Sequence, residues 1–404
     1  MKTRFDFEPQ IRRCKMVINI DRSMQRVSFR CMVLVLVVMF GSLAAVGRAE
    51  TADTPQSATA KIVAAAKAFL ATLDDQQRAA LLYKFDDDKQ RANWSNLPTS
   101  FVPRGGLKLG DLSEAQRSSA MALVASTLSE RGFEKVQQIM EGDEMLKSQP
   151  NHGPGGGGPG SGGPGAGGRG AGGPGPGGGG RPGGGGAIFG KDLYYISILG
   201  TPSETSPWLL QFGGHHLALN ITIVGEQGVL TPSLIGAQPA LYESGGKIVR
   251  PLGPESDKAM ALLNALDDGQ KKKAILSFRV ADLVLGPGHD GETIQPEGLK
   301  ASDMNDTQRA MLVDLISEWS GIENDSFAKA RMGEIKAGLN DTWFAWSGAT
   351  TVEAGKNIKA YYRVQGPKLV IEYAPQRLGG DLSLHVHTMY RDPTNDYGRA
   401  LIKK

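Results

Sequence analysis

The chain has 404 residues but two cysteines, Cys14 and Cys31, and both precede residue 50. Removal of that leading segment leaves no disulfide, no thiolate nucleophile and no cysteine sulfur for a metal. Any ion must then be held by histidine, carboxylate or methionine. Gly-x-Ser-x-Gly, a phosphate loop, His-Glu-x-x-His and Cys-x-x-Cys are all missing. Their absence removes the commonest hydrolase, nucleotide and zinc-protease readings. Histidine is scarce as well, at six residues.

What is present begins with a targeting pattern. Lys2, Arg4, Arg12, Arg13, Lys15, Arg22, Arg26 and Arg30 precede an apolar run from Met32 to Val46, and Gly47-Arg48-Ala49 follows. A charged region, an apolar core and a small-residue cleavage site in that order form a secretory signal, and the run is too short for an ordinary membrane span. The mature chain is expected to start near Glu50, with an uncleaved anchor as the alternative. Translation from Met16 or Met24 would shorten the long basic region. Cys31 stands before the apolar run, so it does not read as a lipoprotein cysteine. Cleavage takes nine basic and three acidic residues from totals of 45 and 42, leaving 36 against 39. The net charge then moves from +3 to about −3 with no basic run left, which argues against a nucleic-acid partner. The expectation is an exported protein, periplasmic or extracellular, with no stable membrane span after cleavage.

Gly153 to Gly186 is nearly all glycine and proline without a strict triplet period. That excludes a collagen helix and predicts a flexible linker over 151–187. The segments on either side repeat. FLATLDDQQRAALLYKF (Phe69 to Phe85) pairs with LLNALDDGQKKKAILSF (Leu262 to Phe278), and GLKLGDLSEAQR (from Gly106) pairs with GLKASDMNDTQR (from Gly298) at nearly the same offset. An acid at a helix start with Gln or Glu one turn in caps free amides, and Met121, Val124 and Leu128 then recur at helical spacing. Strand-like parts repeat more weakly: DLYYISILG from Asp192 with DTWFAWSGA from Asp341, and WLLQFGGHHLALNITI with AYYRVQGPKLVIEYA. Alignment on Gly214 and Gly366 sets Gln211 opposite Arg363, His216 opposite Lys368 and Asn220 opposite Glu372. The predicted fold is α+β, in two pseudo-symmetric halves that each run from helices to antiparallel strands. The first half takes helices from 50–150 and strands from 188–250; the second takes 251–404, with helices over 255–340 and strands over 341–392. A ligand cleft is expected where the halves meet.

Four stretches could carry chemistry. In LSLHVHTMY, strand alternation sets Leu384 and Val386 on one face and His385 and His387 on the other, where two imidazoles can converge on one ion. The same spacing also arises on any half-exposed strand. In FGGHHLALNITI, His215 and His216 would point to opposite faces unless Gly213-Gly214 bends the strand, and His216 is expected beside Asn220 on the polar side. In YYRVQGPKLVIEY, Arg363 and Glu372 flank a turn and could form a salt bridge; alternatively Glu372 is a ligand or general base. In RDPTNDYG, Asp392, Asn395 and Asp396 suit a turn, while Arg391 could bind an anion and Asp392 could orient a histidine. His152 and His289 are lone loop histidines without a role.

LGTPSETSPWLLQFGGHHLALNITIVG, TPSLIGAQPA, YYRVQGPKLVIEY and HVHTMYRDPTNDYG together resemble a family of uncharacterised, mostly bacterial exported proteins catalogued as domain of unknown function thirty-five-hundred. The resemblance covers nearly all of the mature chain outside the glycine tract. The matching positions are His215, His216, Asn220, Glu372, His385, His387, Arg391 and Asp392. Where the family pattern has Trp-Arg-Phe-Glu before Gly-His-His, this chain has Leu210, Gln211, Phe212 and Gly213. The resemblance implies no activity.

The reading that joins these features is an exported metal-dependent hydrolase acting on a small or anionic substrate. One divalent ion (Zn, Fe or Mn) would sit on His385, His387 and His216. Glu372, Arg391 and Asp392 would serve catalysis, with His215, Asn220 and Arg363 as further ligand contacts. A non-enzymatic small-ligand-binding protein and a metal-free His/Glu acid-base enzyme are the alternatives.

Overall fold

A computed structural model of the chain describes residues 54–148, 188–377 and 380–402; the expected leader over 1–49 and linker over 151–187 lie outside the described residues. The helices before the glycine tract are α1 (Pro55–Ala71), α2 (Asp75–Leu81), α3 (Asp88–Arg91), α4 (Glu114–Ser126) and α5 (Glu130–Ser148). Those after it are α6 (Gly253–Ala265), α7 (Asp268–Ala274), α8 (Asp306–Ser320), α9 (Asp325–Ala337) and a short α10 (Arg399–Ile402).

The duplicated motifs are the starts of α2, α4, α7 and α8. Asp74, Ser113, Asp267 and Asn305 each accept the amide hydrogen of the third helical residue, and Gln77, Gln116, Gln270 and Gln308 each return the bond. These glutamines also pair with one another. Gln116 Nε2 lies 2.8 Å from Gln77 Oε1, and Gln308 Nε2 lies 2.8 Å from Gln270 Oε1. The same two nitrogens donate to Thr72 O and Ala265 O, just past α1 and at the end of α6, at 2.9 and 2.8 Å. One glutamine thus caps its own helix and closes another, which explains why both halves of the motif recur together.

The strands are β1 (Leu82–Tyr83), β2 (Leu107–Lys108), β3 (Tyr195–Leu199), β4 (Trp208–Gly214), β5 (Leu217–Val224), β6 (Gln227–Val229), β7 (Ser233–Ala237), β8 (Tyr242–Ser244), β9 (Lys247–Val249), β10 (Leu299–Lys300), β11 (Trp343–Gly348), β12 (Ala360–Gly366), β13 (Leu369–Pro375) and β14 (Val386–Arg391). Twelve of them form one mixed sheet in the order β1-β3-β4-β5-β7-β14-β13-β12-β11-β10, with β2 on β3 and β6 on β5; β8 and β9 make a separate hairpin. The fold is therefore α+β. The strands of the two stretches meet in the middle, where β7 pairs antiparallel with β14 and Gly236 stands across from His387.

Alternation gives the two faces of this sheet different chemistry. On one face Phe212, Leu219, Ile235, Val386, Ile371 and Phe344 join Ile62, Phe69, Leu123, Leu263, Leu315 and Trp319 of the helices in one continuous core. The other face carries Ser197, Gln211, Asn220, His387, Glu372 and Arg363, all buried although polar. Loops cover this polar face. Trp94, from the loop after α3, packs on Ala218, Leu234 and Met389, and its indole N–H donates to Tyr397 Oη at 2.8 Å.

Candidate metal centre

Gly214 pairs with Leu217, so His215 and His216 are the two turn residues of a tight hairpin between β4 and β5. The expectation that strand alternation would separate them is corrected here, because neither lies within a strand. Both rings sit at one end of the hairpin, with centroids 3.6 Å apart. His216 has φ of 61°, in the left-handed region that side chains other than glycine seldom adopt. Its backbone is held on both sides: its N–H donates to Asn96 O at 3.2 Å and its carbonyl accepts from Gly236 N at 2.6 Å. Gly236 itself has little room for a side chain. A Cβ there would meet Val386 O at 2.9 Å and the Cδ2 atoms of His216 and His387 at 3.2 Å each.

His385 precedes β14 by one residue and His387 lies within it, two positions on and so on the same face. Three ring nitrogens converge as a result. His216 Nε2 is 2.9 Å from His385 Nε2, which is 3.1 Å from His387 Nε2. All four imidazoles are buried, His216 to 1% exposure. Burial, followed by the neighbouring imidazoles His215, His387 and His385, holds His216 well below the usual histidine range; burial also lowers His387, against the pull of Asp282. Neutral rings are what a metal ligand requires. His387 Nδ1 faces Asn96 Nδ2 at 3.2 Å and the more exposed Asp282 Oδ1 at 3.9 Å.

Beside this trio lies a second group. His215 Nδ1 is 2.7 Å from Asp143 Oδ1, and Tyr194 Oη is 3.0 Å from Asp143 Oδ2. Burial raises the Asp143 carboxyl, while His215 and Tyr194 favour its charged form. His216, His385 and His387 form one set with ligand atoms within 4.8 Å of one another; Asp143, His215 and His216 form another.

The remaining expected site residues lie elsewhere on the same face. Glu372 Oε1 accepts from Val284 N and Tyr361 Oη at 2.7 Å each, and Oε2 from Leu285 N at 2.8 Å. A carboxylate so engaged is an anchor for the 282–285 loop, not a base. Arg391 donates to Leu285 O at 2.7 Å and Gly286 O at 2.9 Å and pairs with Asp290 and Asp396 at 2.9 and 3.0 Å. Its guanidinium holds the same loop and is not available for an anion. Asp392 is gripped by Arg331 at 2.8 Å and caps Thr394, and so orients no histidine. Arg363 stands across from Glu372 in the register but gives its ion pair to Glu297 at 2.9 Å. Asn220 belongs to a separate amide network, accepting from Gln211 Nε2 and donating to Pro232 O at 2.8 Å each.

Sequence reasoning passed over Asp143, Tyr194, Asn96 and Asp282. Asp143 did leave a signal, an acid in register with the buried Val136, Ile139 and Leu146 of α5. Asn96 and Asp282 come from loops that nothing local marks. Arg104 secures the first loop, donating to Ser95 O and Leu97 O at 2.7 Å and to Gly214 O at 3.2 Å.

A family model described as Protein of unknown function (DUF3500) matches residues 55–399, a span that includes every residue of both sets. The chain belongs to this family. No curated protein and no solved structure matches it. In this DUF3500 chain the eight positions expected to match the family divide into three histidines at the centre, His215 beside them, Asn220 in its amide network, and Glu372, Arg391 and Asp392, held in hydrogen bonds and ion pairs of their own.

Proposed function

We propose that this is an exported metal-dependent hydrolase whose divalent ion is held by His216, His385 and His387 at the seam of two duplicated halves. The observation that carries the reading is the convergence of three buried Nε2 atoms at 2.9 and 3.1 Å. Nitrogens around a tetrahedral ion at roughly 2.0–2.1 Å lie about 3.3 Å apart, close to this spacing. Hydrogen bonding alone accounts for it less well: one ring nitrogen carries either a proton or a lone pair, yet His385 Nε2 faces two partners. An ion accepts all three lone pairs. Three histidines with an open position would let a bound ion polarise a substrate carbonyl or phosphoryl, or lower the pKa of water.

Around the ion, the chain's own residues orient ligands. Asp282 faces His387 Nδ1 and favours the ring proton there, which leaves the Nε2 lone pair for the ion. Glu372 and Arg391 act through the 282–290 loop that brings Asp282 to the site. Asp282, with its side chain more than half exposed, marks the side where a small or anionic substrate reaches the ion. The duplication is supported by the paired capping boxes and by matching strand registers, Gln211 with Asn220 and Arg363 with Glu372. Export rests on the leader pattern alone. The depth of the histidines favours a second reading as well, an exported protein that holds its ion without turnover.

The test is elemental analysis of untagged, metal-replete protein beside a His385→Ala, His387→Ala double variant. Nitrophenyl esters and phosphates are then assayed before and after chelation. Bound Zn, Fe or Mn that the variant loses, with hydrolysis that follows the metal, is the expected result. Metal without hydrolysis favours the holding protein, and a folded, replete, metal-free protein overturns both.

A further inference from the structure

We infer that Asp143, His215 and His216 form a second divalent-cation site, so that the centre is dinuclear and the His216 ring is shared between two ions. This rests on the metal reading above and extends it. The two sets of candidate ligands have one member in common, His216. Its Nε2 faces His385, while its Nδ1 is buried and has no hydrogen-bond partner among the described residues.

That orphaned nitrogen is the starting point. A histidine that binds an ion through one nitrogen carries a proton on the other and ordinarily donates it to a carboxylate, a carbonyl or water. For His387 the acidic group that faces Nδ1 is Asp282, 3.9 Å away. For His216 no such acceptor lies within hydrogen-bond distance of Nδ1 among the described residues, and the neighbouring carboxylate, Asp143, is engaged by His215 and Tyr194. A buried polar atom without a partner costs free energy that a second ion at Nδ1 recovers.

The rest of the second set suits an ion too. Asp143 brings a negative charge at 1% exposure, His215 a neutral-capable nitrogen 2.7 Å away, and all three ligand atoms lie within 4.8 Å. Carboxylate and imidazole together suit Zn, Fe, Mn or Co. When the ion enters, bonds form to Asp143, to His215 Nδ1 and to His216 Nδ1. His215 would stay neutral by carrying its one ring proton on Nε2, whereas His216, bound at both nitrogens, would release its ring proton to solvent and bridge the two ions as an imidazolate.

The experiment is a titration of the chelator-stripped full-length protein with Zn(II), read by metal content and proton release, for wild type, Asp143→Asn and His385→Ala. Cu(II) loading followed by electron paramagnetic resonance supplies a readout independent of any variant. Two equivalents in wild type, one in Asp143→Asn, and an integrated Cu(II) signal well below the copper content support the shared ring. One equivalent in wild type that survives Asp143→Asn overturns this inference and leaves the three-histidine site standing. No bound metal at all sinks both. Two ions with full Cu(II) intensity, or two ions that persist in Asp143→Asn, place the second ion elsewhere and also overturn it. Should Asp143→Asn fail to fold, His215→Gln takes its place.

Discussion

Two hairpins in this sheet close on two residues at matching registers, Gly214 with Leu217 and Gly366 with Leu369, yet they end in different chemistry. The first carries His215 and His216, with His216 at positive φ, and meets Gly236 and His387. The second carries Pro367 and Lys368, and Lys368 O accepts from Arg331, which in turn grips Asp392 at 2.8 Å. Near it lies a cavity of about 100 Å³ lined by Gly228, Glu323, Arg331, Tyr390 and Asp392. One end of the sheet gathers neutral nitrogens and the other gathers charges. Hairpins of matching register therefore need not carry matching sites; what differs is which side chains the turn and the neighbouring strand present.

The comparison breaks most readily at the charged end. Arg331→Ala leaves the Asp392 carboxylate buried and unpaired, with an expected loss of about 3–5 kcal/mol in urea unfolding. Metal content per folded molecule should not change. A large metal loss would mean that the two ends are coupled.

Acid and base sharpen it next, because the two ends respond with opposite sign. Burial raises the Glu323 carboxyl to about 8 from 4.5, so the unfolded chain releases its proton first. Stability from this group is complete below about pH 4.5 and declines up to about pH 8, by roughly a few kcal/mol. His216 and His387 are lowered instead, so their contribution is present above the ordinary value of 6.5 and is lost as pH falls below it. Unfolding free energy measured across pH in wild type and Glu323→Gln should show the alkaline decline flattened and the acid decline retained.

Smaller effects separate the ligands from their supports. Asp282→Asn removes the carboxylate that faces His387 Nδ1 and should weaken metal binding by about 10–100-fold in a competition titration. An unchanged affinity would mean that Asp282 does not orient the ring. Lys368→Ala deletes one side of an exposed pair with Glu334 and should move stability by no more than about 0.5 kcal/mol, with no effect on metal.

The repeats, the helix starts and the polar face were legible in the sequence because they are local. A capping box sits within four residues, and alternation along β5, β13 and β14 assigns Asn220, Glu372 and His387 to one face with no knowledge of neighbours. Position along that face was not legible. Glu372, Arg391 and His387 share it, but only the register shows Glu372 two residues down the strand from the point opposite His387. The hairpin was missed because His215 and His216 read as alternating residues of one continuous strand, with a bend at Gly213-Gly214 only as the exception, when the turn is made by the two histidines themselves. Asp143 was missed because its partner is 72 residues away.

The candidate ligands run from position 143 to position 387, and β14 is the last strand among the described residues. A fragment that stops short of β14 lacks His385 and His387, so on the proposed reading an ion could be held by all three histidines only once β14 has joined β7. Histidine and carboxylate sites discriminate poorly among first-row divalent metals by affinity alone. On the proposed reading, the identity of the metal would then be set by what is supplied where that strand docks.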